Sequence, residues 1–181
     1  RNLWPTDQLI NSASLWASEP LVHSASRSLN TMPSLCVLGL GYIGLPTASI
    51  FATKGRRVLG VDVSASVVAT INSGRIHIQE PDLDVLVRAA VQSGNLKAST
   101  TPAAADVFIL AVPTPFIASA DGARVPDLSF VEAATRSIAP FVTAGNLIIL
   151  ESTSPVGTTE KVKGWLEAEL TKLGRPVDGL L

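Results

Sequence analysis

The sequence predicts an α/β domain built on a doubly wound parallel sheet. From Met32 onward, short apolar runs alternate with longer helical stretches, which is the pattern of strands joined by helical crossovers. Hydrophobic residues make up 46% of the 181 residues and charged residues only 16%, whereas an average globular domain has about 25% charged residues. This composition is typical of strands that helices bury on both faces.

Five apolar runs are the expected strands, because they lack the in/out alternation of half-exposed strands. They are Leu35–Leu38, Arg57–Val61, Leu96–Ser99, Val107–Val112 and Leu147–Leu150. Helical spacing, together with turn signals such as Gly-Asn at 94–95 and 145–146, places helices between and after them. The expected helices are Tyr42–Lys54, Ser64–Ser73, Asp82–Gln92, a short one near Pro102–Ala105, Leu128–Ile138 and Thr158–Leu173.

Residues 1–31 differ from the rest of the chain. They are rich in Ser, hold Trp4 and Trp16, and show no strand pattern, and Met32 is the only methionine. We therefore expect residues 1–31 to be a tail of doubtful origin outside the native domain, and residues 32–181 to form the domain. The alternative is a tail that packs on the domain.

Charge and cysteine content exclude several classes of function. The 14 Lys and Arg residues nearly balance the 15 Asp and Glu residues, so we expect neither a nucleic acid nor a membrane partner. The uncharged window Ser28–Thr53 contains prolines and glycines that divide it into a strand and a helix, which argues against a membrane span or signal peptide. The single cysteine, Cys36, excludes a disulfide framework and a Cys-based zinc site. We expect no metal site and a cytoplasmic location.

A glycine-rich turn after the first strand predicts a dinucleotide site. Gly39, Gly41 and Gly44 fit the pattern G-x-G-x-x-G between a buried strand and a helix, which is the context of the Rossmann NAD-binding fold. The first glycine permits a tight turn, the second lets a pyrophosphate approach the backbone, and the third lets helix and strand pack closely. The helix start at Tyr42 and Ile43 offers N–H groups to the phosphates. The alternative is an ordinary tight turn.

Asp62 closes the second strand, about 20 residues beyond the glycine loop, where this fold holds the acid that binds the adenosine ribose. A carboxylate there repels a 2′-phosphate, and residues 63–66 contain no Arg or Lys. The cofactor is therefore predicted to be NAD rather than NADP. The alternative role for Asp62 is to cap the helix that begins near Ser64.

Two further strand ends carry polar residues where ligands of α/β sheets bind. Thr114 lies between two prolines, which direct the chain so that its hydroxyl faces the cofactor. Residues 151–160 form a second strand-to-helix turn rich in hydroxyls, in which Thr158 or Thr159 could simply cap the helix. Glu151 is either an acid/base group or a hydrogen-bonded structural carboxylate.

Five motifs resemble the UDP-glucose/GDP-mannose dehydrogenase family. They are VLGLGYIGLPTA (37–48), GVD (60–62), INSGRIHIQEPDL (71–83), AVPTPF (111–116) and ILESTSPVGTTEKV (149–162). The third and fifth favour the UDP-N-acetyl-D-mannosamine dehydrogenase branch. The resemblance implies a two-step oxidation at C6 of a UDP-sugar with two NAD+, in which a cysteine thiolate traps the aldehyde. It also implies a homodimer.

Matched motif by motif, the resemblance assigns NAD contacts and one assisting residue. The NAD contacts are Tyr42, Ile43, Asp62, Thr114 and Thr159. Thr153 matches a threonine near the reacting centre that positions water. Cys36 matches no catalytic position, and the family's catalytic cysteine and lysine have no counterpart here. We therefore expect an NAD-binding domain truncated at its C-terminal end, without the helical dimerisation and UDP-sugar-binding domains, and inactive alone.

Three other functions remain open from the sequence. A β-hydroxyacid dehydrogenase shares the glycine loop and the following helices, although the hydroxyl-rich turn and the EPDL loop argue against it. A non-catalytic NAD-binding module also fits, because the chain has cofactor elements without a nucleophile. Another UDP-sugar 6-dehydrogenase is the alternative within the family.

Overall fold

The computed structural model describes residues 32–118 and 124–176. In chain order, the strands are β1 (Leu35–Leu38), β2 (Val58–Val61), β3 (Leu96–Ser99), β4 (Val107–Leu110), β5 (Phe116–Ala118), β6 (Arg124–Pro126) and β7 (Leu147–Leu150). The helices are α1 (Gly44–Thr53), α2 (Ala65–Asn72), α3 (Leu83–Gln92), α4 (Ser129–Ile138) and α5 (Thr158–Lys172). The expected tail, residues 1–31, lies outside the described residues.

A five-stranded parallel sheet in the order β3-β2-β1-β4-β7 forms the centre of the domain. The order reverses direction between β1 and β4, so the sheet is doubly wound as the sequence predicts. All five expected strands are present. The second begins one residue later than expected, and the fourth ends at Leu110 rather than Val112.

Two apolar cores lie on opposite faces of this sheet. On one face, Leu35 and Val37 of β1 pack with residues of α1 and α3. On the other, Cys36 and Leu38 pack with residues of α4 and α5. Successive residues of a strand point to opposite faces, so a strand that is covered on both sides must be apolar throughout. This burial explains the uninterrupted apolar runs in the sequence.

The two edge strands, β3 and β7, depart from this arrangement. In β3, Lys97 is exposed between the buried Leu96 and Ala98. Ile148 and Leu150 pack against the α4 and α5 core, but Leu147 is 55% exposed and Ile149 is 39% exposed. In the part of the chain that the structure describes, helices therefore cover β7 on one face only. The expectation that both faces of every strand are covered is wrong for β7, because α4, which precedes it, and α5, which follows it, pack on the same face.

The structure also differs from the sequence prediction between the main strands. Residues 102–105 form no helix, since the connection from β3 to β4 is short and hydrogen bonds hold its end at Asp106. There, the main-chain N–H and the hydroxyl of Ser34 donate to Asp106 Oδ2 at 2.8 and 2.9 Å. The antiparallel pair β5 and β6 was not predicted, although Asp121-Gly122 between them is a common hairpin signal.

None of the described helices has the length and apolar character needed to cross a bilayer.

Cys36 provides a test of the sheet interior. It is fully buried in β1, and burial raises the pKa of its thiol to about 12, against an opposing contribution from the main chain of Ala103. Because the thiolate is the reactive form, we expect no reaction with a thiol reagent at neutral pH until denaturant unfolds the chain. The reagent is dithiobis(nitrobenzoate), which releases coloured thionitrobenzoate when it reacts with a thiol. The chain has one cysteine, so the absorbance reports the reaction of Cys36 directly. Rapid labelling of the native protein would contradict this packing.

Asp82 tests the turn before α3. Its φ of 62° makes it the one described non-glycine residue in the left-handed region, which costs most side chains about 1–2 kcal/mol. We expect Asp82→Gly to leave the free energy of unfolding unchanged or raise it by up to about 1 kcal/mol, and Asp82→Val to lower it by about 1–2 kcal/mol. Urea denaturation measures both changes.

Asp84→Gly is the matched control for that experiment, because Asp84 lies in the first turn of α3. There, glycine should cost about 1 kcal/mol. Equal stability of the Gly and Val variants at position 82 would show that this backbone conformation does not matter.

Candidate dinucleotide-binding site

A cavity of about 550 Å³ opens at the carboxyl ends of the central strands, at the reversal between β1 and β4. It brings together segments that are far apart in the sequence: the glycine loop after β1, the end of β2, the segment after β4 and the turn after β7. The residues that line it are Gly39, Leu40, Gly41, Tyr42, Ile43, Asp62, Val63, Ala111, Val112, Pro113, Thr114, Phe130, Ser152 and Thr153. Most of the residues predicted to bind a cofactor therefore share one cavity.

Gly39 and Gly44 are required by the packing of the loop itself. Gly39 has a φ of 90°, and a Cβ atom on it would lie 2.6 Å from the carbonyl oxygen of Ala111. A Cβ on Gly44 would lie 1.8 Å from the carbonyl oxygen of Gly39. Both distances are far shorter than van der Waals contact, so any side chain at either position would force the loop away from the sheet.

Gly41 has a different environment. A Cβ atom on it would meet no protein atom within 4 Å, and its φ lies outside the left-handed region. Neither packing nor backbone conformation within the described chain therefore requires a glycine here. Gly41 lines the cavity, so its missing side chain leaves room for a group that approaches the backbone from outside the protein.

The start of α1 faces the same cavity. Ile43 is its N-cap residue, and no side chain caps the helix. The first N–H groups of a helix have no partner within it and carry a partial positive charge. Tyr42 and Ile43 line the cavity with exposed side chains, so this helix end is suited to an anionic group such as a pyrophosphate.

The buried side chain of Leu40 anchors the glycine loop on β2, a role that the G-x-G-x-x-G motif did not reveal. Its side chain is fully buried, and its Cδ2 atom lies 2.8 Å from where a Cβ on Gly60 would be. Gly60 in the middle of β2 therefore makes room for Leu40. An isolated glycine inside a strand is the signal that could have indicated this close approach.

Asp62 both lines the cavity and braces the loop. Its Oδ2 accepts from the N–H of Leu40 at 3.1 Å, and its Oδ1 accepts from the N–H of Ser64 at 2.9 Å. Each carboxylate oxygen can accept a further hydrogen bond. The N-cap of α2 is Ser64, whose hydroxyl accepts from the N–H of Val67 at 3.4 Å. Asp62 therefore supports the start of α2 without being its cap residue.

Thr114 and Thr153 both line the cavity and are joined to each other. The hydroxyl of Thr114 donates to the main-chain carbonyl of Thr153. This hydroxyl therefore connects the segment after β4 to the turn after β7. Its oxygen keeps the ability to accept a hydrogen bond from a ligand.

Apart from Ser152 and Thr153, the residues of the last turn do not line the cavity. Thr159 is exposed in the first turn of α5. Thr158 is buried, and its hydroxyl donates to the carbonyl of Pro155 at 2.7 Å, while Gly157 is the N-cap of α5. Glu151 is exposed and accepts from the hydroxyl of Thr47 at 3.0 Å, so it makes a structural contact between α1 and the end of β7.

The electrostatic character of the cavity is simple. Among its lining residues, all within the described ranges, Asp62 is the one charged side chain, and no Lys or Arg is present. Val63, Val112 and Phe130 add apolar surface. A cavity with an acidic end, a helix N-terminus and apolar walls suits a ribose, a pyrophosphate and flat rings, but not a 2′-phosphate.

Comparison with known proteins agrees with this geometry. Residues 33–178 match the NAD-binding domain model of the UDP-glucose/GDP-mannose dehydrogenase family. The NDP-N-acetyl-D-galactosaminuronic acid dehydrogenase of Ralstonia nicotianae is 55% identical over 143 residues, covering 79% of this chain and 33% of that protein. The UDP-N-acetyl-D-mannosamine dehydrogenase of Escherichia coli is 56% identical over 133 residues, covering 74% and 31%.

Solved structures give the same result. The UDP-N-acetyl-mannosamine dehydrogenase of Staphylococcus aureus superimposes with a TM-score of 0.69 at 43% identity, covering 79% of this chain and 34% of that one. The GDP-mannose dehydrogenase of Pseudomonas aeruginosa gives 0.65 at 29% identity, covering 74% and 32%. The chain spans about a third of the length of the curated relatives that it matches. It belongs to the UDP-glucose/GDP-mannose dehydrogenase family, of which it contains the NAD-binding domain.

Proposed function

We propose that this chain is the NAD-binding part of a dehydrogenase that oxidises C6 of a UDP-N-acetylhexosamine to a carboxylate with two NAD+. The observation that carries the proposal is Gly41, which lines the cavity and whose missing side chain has no explanation in the described residues. A cofactor that approaches the backbone there explains it.

The residues of the cavity fit NAD in order along its length. Asp62 would accept hydrogen bonds from the hydroxyls of the adenosine ribose. The N–H groups at Gly41, Tyr42 and Ile43 would hold the pyrophosphate. The nicotinamide half would then lie towards Thr114 and Thr153, at the ends of β4 and β7. When bound, NAD+ accepts the hydride that leaves the substrate carbon.

UDP-N-acetyl-D-mannosamine is the substrate that we propose. Proteins named as its dehydrogenases are 52% to 56% identical to this chain, and the third and fifth motifs also favour that branch. An N-acetyl-galactosamine nucleotide is the second candidate, because the Ralstonia nicotianae relative is 55% identical and its name refers to the galactosaminuronic acid.

Cys36 does not fit the role of the thiolate that the family resemblance implies. It is fully buried inside β1, and burial raises the pKa of its thiol to about 12, so almost no thiolate is present at neutral pH. We therefore propose that these 181 residues do not turn over a UDP-sugar by themselves. The catalytic cysteine and lysine, the helical dimerisation region and the UDP-sugar site would belong to other parts of a longer, dimeric protein.

The domain boundary and the individual roles of the site residues stay predictions. Residues 1–31 are expected to lie outside the native domain. Thr153 is expected to assist at the reacting centre, and Thr159 to contact NAD. The cytoplasmic location is likewise a prediction.

Gly41→Ala tests the cofactor site. The added methyl group would enter the cavity where the pyrophosphate must approach, so we expect the Kd for NAD+ to rise about tenfold or more, with an unchanged melting temperature. Gly44→Ala should instead lower the melting temperature, since its Cβ would collide with the Gly39 carbonyl. Isothermal titration calorimetry and thermal unfolding measure the two effects.

Gly164→Ala is the matched control for that experiment. A Cβ on Gly164 also meets no protein atom within 4 Å, but this residue is exposed on α5. It should bind NAD+ like the wild type. Failure of the folded wild-type chain to bind NAD+ would overturn the proposal for this chain, and equal affinity of wild type and Gly41→Ala would remove the observation that carries it.

Asp62→Asn tests the choice between NAD+ and NADP+. We expect the wild type to bind NAD+ at least about tenfold more tightly than NADP+, because the carboxylate repels the 2′-phosphate. In the variant this ratio should fall towards one. Asp84→Asn makes the same charge change on α3, outside the cavity, and should keep the wild-type ratio. Tighter binding of NADP+ by the wild type would contradict the assignment of Asp62 to the ribose.

A further inference from the structure

The main-chain pairing of β4 with β7 ends before the two chains reach the cavity. The register runs from Val107 opposite Leu147 to Leu110 opposite Leu150. Beyond it, the N–H groups of Glu151 and Ser152 both donate to the same acceptor, the carbonyl of Leu110, at 2.9 and 3.2 Å. Two donors on one carbonyl mark the point where the regular ladder stops. Other bonds must then hold the two strand ends together.

The side chain of Ser152 makes the first of these bonds. Its hydroxyl oxygen lies 2.6 Å from the carbonyl oxygen of Val112 and 3.2 Å from that of Leu110. A serine hydroxyl has a single proton to donate, so the short contact to Val112 is the main hydrogen bond. Ser152 is half-buried and lines the cavity. Its hydroxyl therefore replaces a main-chain donor that the diverging strands no longer supply.

A second hydroxyl bond lies further along the same two segments. Thr114 donates from its side chain to the carbonyl of Thr153. Two side-chain hydroxyls thus link segment 112–114 to segment 152–153, and each segment supplies one of the two hydroxyls. Ser152 makes the inner link and Thr114 the outer one.

The segment that Ser152 holds is confined on its other side by the glycine loop. The N–H of Ala111 donates to the carbonyl of Leu38 at 2.8 Å. The carbonyl oxygen of Ala111 lies so close to Gly39 that a Cβ there would be 2.6 Å away. Ala111 is therefore held by β1, while Val112, the next residue, is held by Ser152. Loss of the Ser152 hydroxyl would release one side of this segment.

The other half of the cavity is held by separate bonds. The N–H of Gly39 donates to the carbonyl of Val61 at 2.8 Å, and Asp62 accepts from the N–H of Leu40 at 3.1 Å. Neither bond involves β4 or β7. Ala111, which contacts the glycine loop, keeps its own hydrogen bond to Leu38. A change at Ser152 should therefore displace the segment from Val112 onward, while Ala111, the glycine loop and Asp62 keep their positions.

From this division we infer that Ser152 is a positioning residue for the nicotinamide half of the cofactor, acting through Val112. In a doubly wound sheet the dinucleotide lies across the reversal of strand order, with one nucleotide on each side. Asp62 and the glycine loop assign the adenosine half to the β1 and β2 side, so the second half lies against the ends of β4 and β7. The inference rests on the proposed function.

The test compares two ligands on the 181-residue chain. ADP contains the adenosine and pyrophosphate parts of NAD+ but no nicotinamide riboside. Isothermal titration calorimetry should show that Ser152→Ala raises the Kd for NAD+ about tenfold, whereas the Kd for ADP stays within about twofold of the wild-type value. Ser152→Thr keeps the hydroxyl and should restore most of the NAD+ affinity. Ser154→Ala removes a hydroxyl from the same turn, outside the cavity-lining residues, and should bind both ligands like the wild type.

The outcomes separate this inference from the proposed function. An equal loss of affinity for ADP and NAD+ would assign Ser152 a purely structural role, and unchanged NAD+ binding would also overturn the inference. A folded wild type that binds neither ligand would overturn the proposed function, and this inference with it. If Ser152→Ala does not fold, Ser152→Cys keeps a weak donor at the same place. It should then show a smaller loss, again confined to NAD+.

Discussion

The close contact between the glycine loop and the end of β4 is the constraint on which the site depends. The carbonyl of Ala111 occupies the space that a side chain on Gly39 would need, and the carbonyl of Gly39 occupies that of Gly44. This contact sets where α1 begins and points its uncapped N-terminus at the reversal of strand order. Because the loop packs closely against the end of β4 at Gly39, the cavity remains open at Gly41.

Polar side chains complete the site where main-chain pairing ends. Asp62 holds the glycine loop through Leu40, while Ser152 and Thr114 join the ends of β4 and β7. Each brace lies at the cavity wall, so the groups that a cofactor would meet are already fixed by hydrogen bonds. A site whose polar groups are held in place before binding loses less entropy when the ligand arrives.

The sequence predicts the sheet better than the connections. The sequence predicts all five parallel strands, and the signal is strongest in β1, β2 and β4, whose residues are largely buried. The expected helix at 102–105 is wrong. Hydrogen bonds from Ser34 hold Asp106 at the end of this connection, and a local pattern cannot show a contact between residues so far apart in the chain. The β5 and β6 pair has a turn signal in Asp121-Gly122, but its exposed residues Phe116–Ala118 lack the in/out alternation that would predict a strand. The exposed face of β7 follows from the packing of α4 and α5 on one side of the sheet, which no local sequence pattern records.

By itself, the sequence determined the parallel α/β class, the glycine spacing, the acid at Asp62 and the family motifs, because these depend on local backbone conformation and on the periodicity of burial. Only the tertiary structure decided which atoms enforce Gly39 and Gly44, namely the carbonyls of Ala111 and of Gly39. It alone also decided that Gly60 makes room for Leu40 and that Ser152 holds Val112. These assignments rest on contacts between segments distant in the chain. Such contacts exist only once strand order and register bring the segments together.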